Sequence, residues 1–312
     1  MPRPLSIPPL VAMQTAVSAA SLVVEIVAGR MLAPYVGMSL YTWTSIIAVV
    51  LAGFSAGHWL GGHVAEHPAA RALRQTGWTM IAAALTTAAA VLILRAFAGP
   101  VLQNLQDPVA GIALLTLLVF FLPSFFAGVP APVLARIAVG IHDRPGRSLG
   151  TMFAAGALGA IGGTLLAGFV FISWLGSVGT MVAVAVTYLI VALGCFLLAG
   201  GARRGGVLSV LAGLVVVGLA AASLTVPSPC TRESRYFCIR VLAMSDDAER
   251  PVRLMVIDHL GHGISARDTP QIMQTDHAAM LDELARHRMQ DRAFSAFLIG
   301  GGSYSIPRAW SA

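Results

Sequence analysis

The stretch LGTMFAAGALGAIGGTLLAGFVFISW, residues 149–174, has no charged side chain over a length that crosses a bilayer as one helix. Hydrophobic residues form 57% of the 312-residue chain and charged residues only 11%, whereas a soluble domain carries about 25% charge. We count seven apolar runs of this kind: Leu10–Ala28, Tyr41–Gly61, Gly77–Phe97, Val109–Ala127, Leu149–Trp174, Val178–Ala199 and Val207–Val226. The sequence therefore predicts a multi-pass α-helical membrane domain over residues 1–226, with the lipid bilayer as its partner.

Small residues recur at helical spacing in the fifth run. They form a four-residue repeat and a second pair: Gly156, Ala160, Thr164 and Gly168, then Gly159 and Gly163. A flat stripe of this kind predicts close packing between helices of one bundle. A homodimer contact or a substrate path is the alternative interpretation.

Three polar side chains stand out within the apolar runs. Glu25 is costly in lipid, so we expect it to face the bundle interior or the headgroups. Arg30 lies five residues further on, and the two predict a structural ion pair, with a proton or ligand site as the alternative. His58 is polar for its depth, and we interpret it as a packing histidine.

The arginines favour one topology. Loops after the second, fourth and sixth runs hold seven arginines, and the alternate loops hold two. Because cytoplasmic loops are enriched in basic residues, this predicts a cytoplasmic N-terminus and, with seven spans, a tail outside the cytoplasm. One span more or fewer reverses the second conclusion. The net charge of +6 lies mostly in loops and forms no basic stripe with aromatics, so we predict no nucleic-acid partner.

Two cysteines at the start of the tail bear on the same question. Cys230 and Cys238 are eight residues apart. In an exported tail they would form a disulfide, and in a cytosolic tail they would stay as two thiols. Neither their spacing nor nearby histidines suggest zinc, and we predict no metal site.

The tail, residues 227–312, alternates strand and helix patterns. Phe237–Met244 and Val252–Asp258 predict a hairpin. A helix is predicted from Thr269 to about Arg288. Ala293–Gly300 predicts a buried strand that runs into the triple glycine Gly300–Gly302. This order of elements indicates the first part of an α/β domain.

Both halves of the chain resemble one family. The tail order, together with SLVVEIVAGRMLAPYVGMSLYTWTSIIAVVLAGFSAGHWLGGHVAE and GRSLGTMFAAGALGAIGGTLLAGFVFISWLGS, is similar to the membrane-fused spermidine synthase-like proteins of bacteria. Some of these are described as fused major-facilitator/spermidine synthase proteins. The resemblance implies a bacterial inner-membrane location and a methyltransferase-like, Rossmann-type tail. It also implies aminopropyl transfer from decarboxylated S-adenosylmethionine to a polyamine.

The resemblance also implies site residues. Gly300, Gly301, Gly302 and Ser303 would form the cofactor-binding turn, since glycines let the backbone turn sharply and approach a ligand closely. Substrate-binding candidates lie at places that match the family's strand and helix motifs: Asp258, His262 and Glu283. His262 stands where the family has glutamine, and His259 where it has glycine.

Departures from the family limit what this chain is expected to do. The glycine turn continues with Ser303-Tyr304 instead of Asp-Gly, and the chain ends at Ala312 before the family's later acidic and basic catalytic positions. We therefore expect an incomplete α/β domain, unknown catalytic residues and no aminopropyl transfer by this chain alone. The alternatives are an integral-membrane transporter or ligand-binding protein with a vestigial cofactor-domain tail, or a non-functional fragment.

Overall fold

The protein is described here by a computed structural model that covers residues 5–141, 143–200, 206–247, 249–290, 292–300 and 302–311. The chain divides into two compact units. One comprises residues up to Leu32 together with Met38–Pro227, and the other comprises Ala33–Gly37 together with Ser228–Ala312.

The first unit is helical. Its helices are α1 (Ile7–Val36), α2 (Leu40–Ala65), α3 (Ala69–Asn104), α4 (Pro108–Gly128), α5 (Pro130–Ile141), α6 (Pro145–Leu166), α7 (Ile172–Leu198) and α8 (Gly206–Thr225). A π-helical turn, Ala167–Phe171, joins α6 to α7. Among the described residues, six helical stretches are long and apolar enough to cross a membrane. This agrees with the predicted membrane helical domain.

The longest of these stretches is a hairpin rather than one rod. Its 54 residues would extend about 80 Å as a straight helix, far more than the roughly 30 Å of a hydrocarbon core. Gly176 interrupts it with φ 66° and ψ −179°, which are not helical values. Gly163 before the break packs on Ala19 of α1, and Tyr188 after it bonds Ser21 of α1. Both halves therefore lie against the same part of α1.

Close helix packing depends on glycines in two places. A Cβ at Gly57 of α2 would overlap the carbonyl oxygen of Phe125 on α4. A Cβ at Gly159 or Gly163 of α6 would overlap backbone atoms of α1, whereas Gly168 has open space around it. The pair Gly159/Gly163 thus forms the close contact with α1. The four-residue repeat continues to Gly168, but this contact does not.

The second unit contains an antiparallel sheet and two short helices. Its elements are β1 (Arg232–Glu233), β2 (Cys238–Ala243), β3 (Val252–Ile257), β4 (Leu260–Ala266), α9 (Asp276–Met289) and α10 (Ser305–Ser311). The strands pair in the order β1-β2-β3-β4. The predicted hairpin is the β2–β3 pair, with Ile239 opposite Ile257 and Ala243 opposite Arg253.

Two expectations for the tail need correction. Residues 293–300 form no strand, and Phe297 and Ile299 are 90% and 89% exposed. A central parallel strand needs neighbours on both sides, and no described strand pairs with this segment. The helix begins at Asp276 instead of Thr269, and β4 was not predicted. An antiparallel sheet of this kind does not establish a Rossmann-type domain, which stays an expectation.

Candidate functional site

A cleft of about 220 Å³ lies in the tail between β4, α9 and the loop before α10. Its walls include His262 of β4, Leu281 of α9, Pro307 of α10, and Gly300 and Gly302, the two residues that we call the glycine turn. The fold therefore brings together predicted site residues that are 40 positions apart in the sequence. We refer to this space as the glycine-turn cleft.

Gly302 of the glycine turn packs closely against β4. Gly300 and Gly302 have φ of 77° and 53°, values that favour glycine. A Cβ at Gly302 would lie 2.8 Å from the carbonyl oxygen of His262, so a side chain there would push the turn away from the strand. Gly301, the third member of the predicted turn, lies outside the described residues.

Hydroxyl groups fasten the segment after the glycine turn to β4. Ser305 Oγ donates a hydrogen bond to the carbonyl oxygen of Ile264 at 3.1 Å. Ser303 Oγ is 2.6 Å from Ser305 Oγ, and Ser265 Oγ is 3.1 Å from it. Because Ser305 uses its proton on Ile264, the other two hydroxyls donate to Ser305 Oγ. The oxygen of Ser303 therefore offers lone pairs as an acceptor within the cleft.

The ring of His262 has a defined tautomer. Its Nδ1 lies 2.9 Å from the carbonyl oxygen of Leu260. A carbonyl oxygen only accepts, so Nδ1 carries the proton and Nε2 of the neutral ring is an acceptor. His262 is half-buried and lines the cleft, whereas His259 is exposed and does not line it. The cleft is also lined by Thr275 and His277. Its side-chain acceptors therefore include His262 Nε2 and Ser303 Oγ.

Two predicted substrate-binding residues lie elsewhere. Asp258 is 9% exposed, and its Oδ1 accepts a hydrogen bond from the backbone N–H of Cys238 at 2.8 Å. It lies in the two-residue turn between β3 and β4, and it adopts a left-handed backbone with φ of 54°. Glu283 is exposed on α9 and does not line the cleft.

Asp282, the residue beside Glu283, has a structural role that the sequence analysis does not predict. Asp282 is 9% exposed, accepts from Arg286 Nε at 3.0 Å, and accepts from Trp310 Nε1 at 2.6 Å. The spacing of Asp282 and Arg286 is a recognisable i,i+4 ion pair. No pattern in the sequence links either residue to Trp310, 28 positions further along the chain.

The remaining predicted positions are distributed over both units. Cys230 and Cys238 form a disulfide. Glu25 and Arg30 are both half-buried on α1, and their ion pair stays a prediction. His58 is exposed on α2 and lies against the ring of Phe54, with 6.4 Å between ring centroids, rather than in the bundle core.

Within the part of the chain that the structure describes, no group of three or more His, Cys, Asp or Glu side chains is placed to hold a metal ion.

The chain matches no protein-family model, and no curated protein or solved structure is similar enough to match it. The resemblance to spermidine synthase-like proteins consequently stays an expectation.

The glycine-turn cleft fits only part of the co-substrate that the resemblance implies. Its volume of about 220 Å³ is below the roughly 300–1,000 Å³ of ordinary small-molecule sites. Decarboxylated S-adenosylmethionine and polyamines are cations, and the described residues that line the cleft include no Asp or Glu. The cleft supplies acceptors and apolar walls, but no opposite charge for these groups.

Proposed function

We propose that this chain is an integral-membrane protein whose tail binds a small, neutral, nucleoside-type ligand on a spermidine synthase-like scaffold. The tail is proposed to bind the ligand without transferring an aminopropyl group by itself. The observation that supports this proposal is the assembly of His262, Gly302 and Ser303 around one cleft. These are residues that the family resemblance assigns to substrate and cofactor binding.

The ligand class follows from the groups in the cleft. His262 Nε2 and Ser303 Oγ accept hydrogen bonds, so the ligand should present N–H or O–H donors. Leu281, Leu298 and Ile306 provide apolar walls suited to a flat ring. A purine base meets both requirements without a positive charge, and we therefore use adenosine as the probe.

The proposal includes a location for the tail. We infer that the chain lies in a bacterial inner membrane with the tail outside the cytoplasm. Counting the bent stretch 145–198 as two crossings gives seven among the described residues, which supports an odd number of spans. The Cys230–Cys238 disulfide also supports an oxidising compartment, since cytosolic thiols are kept reduced. Alkaline phosphatase fused after residue 312 should be active, and an active fluorescent-protein fusion would contradict the inference.

Adenosine binding to the purified full chain tests the ligand proposal. We expect saturable binding with a Kd on the order of 0.1 mM, from roughly 0.3 kcal/mol per heavy atom. His262→Phe keeps a flat ring and removes the acceptor, and should weaken binding about tenfold. His259→Phe, at an exposed position outside the cleft, is the matched control. Absence of saturable binding, or equal weakening by both variants, would overturn the proposal.

A further inference from the structure

A second cavity lies in the tail and shares no lining residue with the glycine-turn cleft. Its volume is about 300 Å³, within the range of small-molecule sites. The side chains that define it come from α9, α10 and the segments that flank α9: Gln271, Arg286, Met289, Arg292, Phe294 and Trp310. We refer to it as the Trp310 cavity.

A buried carboxylate positions two of these side chains. Asp282 contacts side chains that line the cavity but does not itself line it. It accepts Arg286 Nε at 3.0 Å with both oxygens and Trp310 Nε1 at 2.6 Å. A guanidinium and an indole are thereby held in fixed orientation before any ligand arrives, which lowers the entropy cost of binding.

The cavity has an aromatic wall. Phe294 and Trp310 meet edge to face, with 5.2 Å between ring centroids and 78° between ring planes. Such a pair is a favourable arrangement and leaves ring faces as a flat apolar surface. Met289 adds an adaptable apolar side chain to the same space.

Among the described residues that line the cavity, the charges are unbalanced. Arg286 and Arg292 both line it, and the described lining includes no acidic side chain. Asp282 compensates the charge of Arg286. Arg292 Nη2 donates to the neutral amide oxygen of Gln290 at 3.1 Å, which leaves the charge of Arg292 uncompensated by that contact. With Asp282 included, the three charged groups carry a net charge of +1.

We propose that the Trp310 cavity binds a small monoanion that carries a flat apolar group, such as an aromatic carboxylate. The carboxylate pairs with the guanidinium of Arg292, whose planar fork suits this group. The ring lies against Trp310 and Phe294. This site is independent of the glycine-turn cleft and does not rest on the function proposed for it.

The test uses two fluorinated probes that differ in charge but hardly in shape. Ligand-observed fluorine NMR measures 4-fluorobenzoate and 4-fluorobenzamide with the full chain in nanodiscs, and empty nanodiscs give the lipid background. We expect benzoate to bind saturably with a Kd on the order of 1 mM. The neutral amide should bind at least about tenfold more weakly, because it lacks the charge that pairs with Arg292.

Two arginine variants locate the probe. Arg292→Gln should weaken benzoate binding about tenfold. Arg288→Gln removes an exposed arginine of α9 that does not line the cavity, and should leave binding unchanged. Trp310→Phe keeps a ring but loses the bond to Asp282, and should weaken benzoate binding. The proposal is wrong if the benzoate signal is not saturable, if benzamide binds equally well, or if both arginine variants behave alike.

Discussion

Asp282 of α9 and Trp310 of α10 are joined by a hydrogen bond of 2.6 Å between the carboxylate and the indole Nε1. This bond ties the last described helix to the rest of the tail. Arg308 adds a second tie by donating to the carbonyl oxygen of Ala266 at 2.8 Å. Both contacts hold α10, and with it the end of the loop that contains the glycine turn.

Removing the carboxylate should loosen α10. In Asp282→Ala, Trp310 Nε1 and Arg286 Nε lose their shared acceptor. We expect the free energy of local opening of α10 to fall by about 1–3 kcal/mol, the cost of leaving such donors unpaired. Hydrogen exchange of residues 305–311 in the full chain measures it. Glu283→Ala, at the exposed neighbour, should change this protection little, and similar effects of the two variants would contradict the assignment.

Packing between α2 and α4 should depend on Gly57. Alanine at this position would overlap the carbonyl oxygen of Phe125, and we expect overpacking to destabilise the bundle by about 1–3 kcal/mol. Gly62, on the same helix, has nothing within 4 Å of an added Cβ. Gly62→Ala should therefore be neutral or stabilising, since alanine has the higher helix propensity. Thermal unfolding in detergent compares them, and equal melting temperatures of the two variants would be inconsistent with this interface.

The two tail cysteines should be oxidised in membranes isolated from cells. Cys195 is then the one free thiol, and it is buried within α7. Maleimide-polyethylene glycol added under denaturing, non-reducing conditions should shift the chain by one label, and after reduction by three. Three labels without reduction would place the tail in a reducing compartment. Loss of the bond in Cys230→Ser should cost about 2–3 kcal/mol of tail stability on the loop-closure account.

The chain should not convert putrescine to spermidine. The glycine-turn cleft has no carboxylate in its described lining to bind or deprotonate an amine. Ser303-Tyr304 also replaces the Asp-Gly of the resembled family. Purified protein supplied with decarboxylated S-adenosylmethionine and putrescine is the assay. Spermidine formed above a no-protein control, and lost in Glu283→Ala, would show that the assignment is wrong.

The sequence predicts those elements that hydrophobicity and local residue pattern determine. The apolar runs correspond to membrane-type helices, and alternation within Phe237–Met244 and Val252–Asp258 identified the hairpin. The predictions that differ from the structure concern segments whose conformation depends on contacts with residues distant in the sequence. Residues 293–300 have strand-like composition, but no described strand pairs with them. Asp282 and Glu283 are adjacent acidic residues. Burial against Trp310 distinguishes Asp282 from Glu283, and the sequence does not reveal this contact.

The same limit applies to the candidate site. The resemblance predicts a site at His262, Gly302 and Ser303, but no spacing rule predicts the contact that brings them together. That contact is the close fit of Ser303 on Gly263, where an added Cβ would overlap Ser303 Oγ. Gly263 is therefore the position from which the cleft can be opened.

The most direct test of the ligand-binding account compares two alanine variants on β4. Gly263→Ala should displace Ser303 and the glycine turn, whereas a Cβ at Gly261 would meet only Leu254 Cδ1 at an ordinary 3.5 Å. Calorimetric titration of adenosine into the full chain should give binding to the wild type and Gly261→Ala, and a loss of at least about tenfold in Gly263→Ala. Equal affinity of all three proteins, or no binding to any of them, would contradict the account.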